Sequence, residues 1–226
     1  MSLKDQLREE VRAESQKLKD MSFQDKLWYI WEYYKIHIGG VVLAFLLISV
    51  VVTSVRNISI HPGLYCVVLN NLSSQDMDTS ILEQDFHDHM GFGEKQPVYV
   101  ESMYITYGDN ATELSYASMA KISALVASKD LDIIISDQES ADHYAALDGL
   151  ADLEKLLPAD ILSAVEDRLF FSLDGQGRPT ASSLDLKGTA LAGSMRLSED
   201  ASYLSVISNS DETETVFALI RYIFGL

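Results

Sequence analysis

The chain has 226 residues, and its 17 Lys and Arg face 34 Asp and Glu, for a formal net charge of −17. This acidity argues against nucleic acid as a partner, because phosphate backbones are bound through Lys and Arg. The single cysteine, Cys66, excludes an internal disulfide, so a folded domain must rest on a hydrophobic core.

The N-terminal 35 residues form a charged segment. Between Leu3 and Leu18, apolar residues recur near heptad spacing, which is typical of a solvated or interfacial helix or of a short coiled coil. Ser22 followed by Asp25 is a capping pattern. It predicts a second helix that begins near Phe23 and continues into the apolar residues that follow.

Residues 36–55 are 20 nearly unbroken apolar residues, with His37 as the one ionisable side chain. A helix of about 20 apolar residues crosses the roughly 30 Å of hydrocarbon in a bilayer. Aromatic residues suited to the headgroup level precede the stretch: Trp28, Tyr29, Trp31, Tyr33 and Tyr34. The sequence therefore predicts a transmembrane helix over 36–55, with the lipid bilayer as its partner. Gly40 and Ala44 have the spacing of a helix-dimer motif, so dimerisation is conceivable.

Charge predicts the orientation of this helix. Residues 1–35 hold seven basic and seven acidic side chains, whereas residues 56–226 hold ten basic and 27 acidic ones. Lys and Arg lie near the span on its N-terminal side and are scarce after Arg56. Because they favour the cytoplasmic side, we expect a cytoplasmic N-terminus and an outer C-terminal domain in the cell membrane. A small-residue cleavage site does not follow the apolar stretch, and Tyr65 precedes Cys66 where a lipoprotein box needs a small residue. A retained signal anchor is the prediction.

After a linker at 56–63, residues 64–226 alternate between strand and helix patterns. Strands are predicted at 64–69, 97–106 and 131–136. Helices are predicted at 79–90, from the capping pattern Asn110–Glu113 onward, and from the capping box Ser136–Glu139 to about Leu147. One face of the second of these helices is marked by Leu114, Met119, Ile122, Leu125 and Val126. This alternation predicts parallel βαβ units. The less regular second half predicts a helix over 158–168, a hairpin of 169–173 with 180–186, short strands near 189–192 and 203–207, and a final helix after Asn209–Glu212. The apolar face of that final helix is predicted at Val216, Leu219, Ile220 and Ile223. The expected fold class is α/β: one N-terminal transmembrane helix, then a three-layer domain with a mixed, mainly parallel sheet.

Two resemblances accompany this pattern. The approach to the membrane, Trp31-Glu32-Tyr33-Tyr34-Lys35, is similar to that of small uncharacterised single-pass proteins of Gram-positive bacteria. The outer domain resembles a reduced type 2 periplasmic solute-binding protein in three segments: Leu131–Asp137, Leu150–Pro158 and Tyr203–Ile207. The resemblance implies a single lobe over 64–226, with a strand that ends at a solute cleft. It departs from the family because 168–200 leaves room for only a modest insert in place of a second lobe.

Catalytic and metal-binding motifs are missing from the sequence. His87 and His89 lie two residues apart, so on a helix they point about 200° apart and cannot share one ion easily. Asp174–Gly177 lacks the closing acidic residues of a calcium loop and predicts a hairpin turn. We therefore expect a non-enzymatic protein with neither a metal nor a cofactor.

If a ligand binds, the carboxyl ends of the strands are the expected place, because loops and helix N-termini expose N–H groups there. The candidate ligand-binding residues are Asn70, Asn71, Tyr107, Ser136 and Asp137. Helix capping and turn formation explain the same residue types equally well.

Two functions follow from these patterns. The first is an extracytoplasmic module that binds a solute or a protein partner in the cell envelope. The second is a structural or regulatory component that acts only through protein contacts. A concave pocket lined by Asn70, Tyr107 and Asp137 would favour a ligand, whereas a flat edge with an exposed apolar patch elsewhere would favour a partner surface.

Overall fold

The computed structural model describes residues 22–58, 62–73 and 76–226. The chain divides into two compact units, with the division between Ser59 and Ile60. The helix predicted within residues 3–18 lies outside the described residues. So does the middle of the predicted linker, residues 59–61.

One helix, α1 (Phe23–Ile58), makes up the described part of the first unit. It begins at the residue that the capping pattern predicts, and it extends into the predicted linker. The 19-residue window Lys35–Thr53 has a mean hydropathy of 2.5 and none of it is buried. At 1.5 Å per residue this window is about 28 Å long. Among the described residues, α1 is therefore the one helix that is long and apolar enough to cross a bilayer.

The second unit is an α/β domain with six strands. The strands are β1 (Leu64–Leu69), β2 (Val98–Met103), β3 (Ile133–Ser136), β4 (Leu169–Leu173), β5 (Pro179–Asp185) and β6 (Tyr203–Val206). Between β1 and β2, a π-helical turn (Ile81–Phe86) runs into α2 (His87–Met90). The later helices are α3 (Glu113–Ser128), α4 (Gln138–Ala146), α5 (Leu153–Leu156), α6 (Ala159–Val165), α7 (Ala190–Ser194) and α8 (Thr213–Phe224). Short 3₁₀ turns occupy Gly108–Asn110 and Glu166–Arg168.

The strands form one mixed sheet in the order β2-β1-β3-β6-β5-β4. β1 pairs in parallel with both β2 and β3, and the remaining neighbours are antiparallel. The α/β class with a mixed sheet is thus confirmed. Parallel pairing stays within the first three strands, because helical crossovers join them, whereas the tight turn at Asp174–Gly177 returns β5 directly beside β4.

Two hydrophobic clusters fill opposite faces of the sheet and produce the predicted three layers. On one face, Cys66, Val68 and Ile133 pack with residues of the π-helical turn, α5, α6 and α8. On the other face, Val67 and Ile134 join a second cluster to which α3 contributes. Successive strand residues point to opposite faces, which is why a continuously apolar strand such as β1 fits between two helical layers.

Local predictions were wrong near residue 189 and at the start of α3. The predicted strand near residues 189–192 is the start of α7, because the Thr189 hydroxyl accepts from the Ala192 N–H at 3.2 Å and caps a helix. The cap of α3 is Thr112 rather than Asn110, since the Thr112 hydroxyl accepts from the Ser115 N–H at 3.1 Å.

Candidate functional site

Asn70 is the residue that joins the carboxyl ends of the first strands. It lies directly after β1 in the left-handed region, at φ 55°, which Asn tolerates better than most residues. Its side-chain oxygen accepts from the Ile105 N–H at 2.9 Å, just past β2. Its side-chain N–H₂ donates to Asp137 Oδ2 at 3.1 Å and to Ser140 Oγ at 3.4 Å. Both ends of the amide are therefore occupied by partners within the domain.

Asp137 and Ser136 form the junction between β3 and α4. Asp137 is the N-cap of α4, and its Oδ1 accepts from the Ser140 N–H at 3.2 Å. Ser136 is fully buried, and its hydroxyl donates to the Asp137 carbonyl at 3.1 Å. The cap of α4 is therefore Asp137 and not Ser136, the first residue of the predicted capping box.

Tyr107 lies beside the same junction. Its hydroxyl donates to Ser140 Oγ at 3.0 Å, and its ring lies 4.2 Å from the His143 ring, centroid to centroid. Burial raises the pKa of Tyr107 to about 12 and lowers the pKa of His143. Both groups are therefore neutral at pH 7, which suits packing better than proton transfer. Burial also raises the pKa of Tyr144, whose hydroxyl is shielded from solvent.

Asn71, the fifth candidate, is turned away from the other four. It is buried, and its Oδ1 accepts from the Ser198 N–H at 2.8 Å. Its Nδ2 donates to the Arg196 carbonyl at 3.4 Å, and its own carbonyl accepts from the Tyr104 hydroxyl at 2.5 Å. These contacts hold the loop before β6 against the ends of β1 and β2.

The candidate residues therefore fall into two sets. Asn70, Tyr107 and Asp137 meet through Ser140, with Ser136 beneath them, while Asn71 serves a different loop. The contacts of Asn70, Asn71 and Asp137 fix strand ends, helix caps and loops.

Three clefts of the domain are lined by other residues. One of them has a volume of about 420 Å³. It is lined by Lys187, Gly188, Thr189, Ala192, Gly193, Leu197, Ser198, Glu199 and Ser202. A smaller polar cleft of about 160 Å³ lies near Asp148, Asp152 and Asp174.

The third cleft, of about 330 Å³, is a groove between β2 and α3, and sequence reasoning missed it. The groove is lined by Glu101, Ser102, Met103, Tyr104, Leu114, Ala117, Ser118 and Lys121. We name it the β2–α3 groove. Tyr104 is 49% exposed and Leu114 is 66% exposed, so Leu114 does not belong to the inward face of α3 as its spacing predicted.

Charges in the β2–α3 groove are paired. Lys121 Nζ contacts Glu101 Oε1 at 2.5 Å, and the Tyr65 hydroxyl donates to Glu101 Oε2 at 2.9 Å. Burial, followed by this bond to Glu101, raises the pKa of Tyr65 to about 12. The groove therefore presents apolar side chains beside one engaged ion pair.

A second polar network, also missed from sequence, surrounds Asp132 at the other end of β3. Asp132 is buried, and its two oxygens accept from the Tyr65 N–H at 2.8 Å and the Ser210 hydroxyl at 2.6 Å. Burial raises its pKa to about 6, although both hydrogen bonds act in the opposite direction. Its one sequence signal is an acidic residue inside the apolar run Leu131–Ile135.

Within residues 22–58, 62–73 and 76–226, no group of three or more His, Cys, Asp or Glu side chains is placed to hold an ion. His87 contacts Asp88 at 3.3 Å, and the His89 ring lies 5.0 Å from the Tyr222 ring. The two histidines thus have separate neighbours.

The structure supports a coarse description: an apolar N-terminal helix followed by an α/β domain with a mixed sheet. The likeness to solute-binding proteins and to Gram-positive membrane proteins remains a prediction. In comparisons with known proteins, the chain matches no family model, no curated protein and no solved structure.

Proposed function

We propose that the chain is a membrane-anchored, non-enzymatic module whose α/β domain lies outside the cell and acts by binding a protein partner. One observation carries this proposal. Polar side chains at the carboxyl edge of the sheet bond to one another, whereas Tyr104 and Leu114 remain exposed in the β2–α3 groove. An exposed apolar surface bordered by polar residues is typical of a protein contact site.

Anchoring rests on α1 and on charge. The window Lys35–Thr53 has the length and hydropathy of a membrane span, and the acidic excess lies entirely after it. Lys and Arg lie close to the window on its N-terminal side and are scarce after Arg56. Because basic residues favour the cytoplasmic side, this distribution supports an outer domain.

The carboxyl edge is a poor solute site on physical grounds. A small-molecule site needs polar groups that converge on a cavity and remain available to the ligand. The amide of Asn70 already has three partners within the domain, and Asp137 Oδ1 is committed to capping α4. A ligand would have to break these bonds to replace them, which leaves little net gain.

Site-specific photo-crosslinking in native membranes tests the proposal. A photoreactive residue replaces Leu114 in the groove, or Leu147 at the end of α4 as a control, because their exposures match at 66% and 65%. We expect a discrete protein adduct from position 114 and none from 147. Equal labelling from both positions, or no adduct from either, would contradict a partner contact at the groove.

A solute site in the cleft lined by Lys187 and Gly193 is the second candidate. Its volume of about 420 Å³ lies within the range of known ligand pockets, roughly 300 to 1,000 Å³. Thermal unfolding of the full chain with sugars, amino acids and peptides separates the two functions, since a ligand at about 100 times its Kd adds about 2.7 kcal/mol. A stabilising compound whose effect disappears in Gly193→Leu would favour the solute function. We expect none.

A further inference from the structure

β2 is an edge strand, and the backbone on its outer side is open at Ser102. It ends the sheet order on one side, and its single neighbour within the described residues is β1. The Met103 carbonyl accepts from the Asn70 N–H at 3.0 Å, so the backbone groups of Met103 face β1. Successive residues of a strand alternate in this direction, so the N–H and C=O of Ser102 point away from the sheet. Ser102 is also exposed.

The same edge is covered at Val100. Val100, two residues before Ser102, also points its N–H outward, and that N–H donates to Glu83 Oε1 at 3.3 Å. The Thr79 hydroxyl donates to the second carboxylate oxygen of Glu83, Oε2, at 2.6 Å. A carboxylate on the outer edge is a known way to block pairing with another strand. Here the Glu83 carboxylate covers the outer edge of β2 at Val100 and leaves the edge at Ser102 uncovered.

The uncovered part of the edge, at Ser102, borders the β2–α3 groove. Ser102 and Tyr104 line the groove from the strand, and Leu114 lines it from α3. An open strand edge beside an apolar groove is the arrangement that accepts an extended peptide as an added strand. Backbone hydrogen bonds then provide affinity, while the groove takes alternate side chains of the peptide.

We propose that an extended, cationic segment of a partner protein pairs with β2 at Ser102 and places alternate side chains in the β2–α3 groove. This inference rests on the proposed function and specifies its partner. Glu83, Glu101 and Glu113 lie on the elements around the site, and Lys121, the cation that lines the groove, is paired with Glu101.

Charge favours a basic partner over a second copy of this chain. Residues 56–226 hold 27 acidic and ten basic side chains, so two such domains repel each other. A Lys-rich or Arg-rich strand would be attracted and would bind more weakly as salt rises.

Synthetic peptides test the inference on the full chain in lipid nanodiscs. The probe is a fluorescent octapeptide of alternating Lys and Val, compared with a Glu–Val peptide and with the Lys–Val peptide N-methylated at alternate backbone positions. Fluorescence anisotropy should show salt-sensitive binding of the Lys–Val peptide only. Binding of the N-methylated peptide at the same affinity would overturn strand pairing, and binding of the Glu–Val peptide would overturn the charge argument.

Matched variants locate the site. Ser102→Pro removes the outward N–H without touching a bond to β1, and proline is tolerated at such an edge position. It should weaken binding roughly tenfold, the expected effect of losing a hydrogen bond and the edge geometry. Ser102→Ala keeps the N–H and should bind like the wild type. Equal binding by both variants would place the peptide elsewhere.

The two proposals fail separately. If no peptide binds while position 114 still forms a discrete adduct in native membranes, strand addition is wrong and the partner-binding function survives. If that adduct is also missing, both proposals are lost.

Discussion

The side-chain amide of Asn70 donates to the carboxylate of Asp137 at 3.1 Å and joins the end of β1 to the start of α4. The same carboxylate accepts from the Ser140 N–H, so it also begins the helix. One pair of residues, 67 positions apart in the chain, thus connects two βαβ crossovers at the edge where a ligand would otherwise bind. The contact explains why this edge is better suited to holding the fold together than to capturing a solute.

Substitutions at Asn70 should separate backbone strain from hydrogen bonding. Asn70→Ala loses the side-chain bonds and places Ala at φ 55°, so we expect a loss of about 2 to 4 kcal/mol in unfolding free energy. Asn70→Gly loses the same bonds but adopts that φ freely, so it should be about 1 kcal/mol less damaging. Urea unfolding followed by near-UV circular dichroism measures both. A Gly variant as stable as the wild type would show that the network contributes no stability.

Asp132 should make stability fall as pH rises from 4 to 6. Its pKa is raised from 3.8 to about 6, so in this window the folded state holds a proton that the unfolded state has released. The stabilising contribution of Asp132 to the unfolding free energy is complete below pH 3.8, decreases through the window and is gone above about pH 6. It amounts to about 2 to 3 kcal/mol.

Asp132→Asn isolates this contribution, because Asn stays neutral while it can accept from the Tyr65 N–H and donate to Ser210. The melting temperature of the variant, measured at pH 4.5, 5.5 and 7.0, should rise relative to that of the wild type as pH increases. Carboxylates with lowered pKa values, such as Asp160 and Asp174, lose their protons below this window in both proteins. Parallel curves for the two proteins would mean that Asp132 does not titrate as described.

Gly63 should not tolerate a side chain. A Cβ at this position would lie 2.6 Å from the Phe92 ring, and the Gly63 N–H donates to the Pro97 carbonyl at 2.9 Å. Gly63→Ala should therefore destabilise the domain by about 1 to 3 kcal/mol. Gly93→Ala is the control, because its Cβ meets nothing within 4 Å and should be neutral or stabilising by up to about 1 kcal/mol. Thermal melts that rank the two variants the other way would refute this packing argument.

A charge in the middle of α1 should weaken membrane retention. Leu46 lies within the exposed window Lys35–Thr53, so Leu46→Arg should cost about 2.5 to 3.5 kcal/mol of insertion free energy. Leu46→Val keeps the position apolar and serves as the control. The measurement is the fraction of protein that resists carbonate extraction from membranes. Equal retention of both variants would argue against a spanning helix.

Local patterns predicted most of the fold. The apolar run of β1, the Phe23 helix start and the buried face of α8 follow from short-range spacing, and the structure confirms them. The segment at Thr189 was mispredicted because its β-branched residue suggested a strand, while its hydroxyl in fact caps a helix.

The site was less predictable, because its contacts join distant residues. Sequence spacing could place Asn70 and Asp137 at the same edge, but not the hydrogen bond that makes them partners. The Glu83 contact with β2 and the exposure of Leu114 depend on how the π-helical turn and α3 pack against the sheet. Periodicity carries no information about that packing.

Everything proposed for the α/β domain depends on the side of the membrane that it occupies. Cys66 is the one cysteine in the chain and is fully buried, so a new cysteine can be labelled selectively. The most direct measurement is labelling of Leu147→Cys in intact cells with a membrane-impermeant maleimide, with Ser15→Cys in the N-terminal segment as the opposite control. We predict that position 147 is labelled before permeabilisation and position 15 only afterwards. The reverse pattern would place the domain inside the cell and contradict the account.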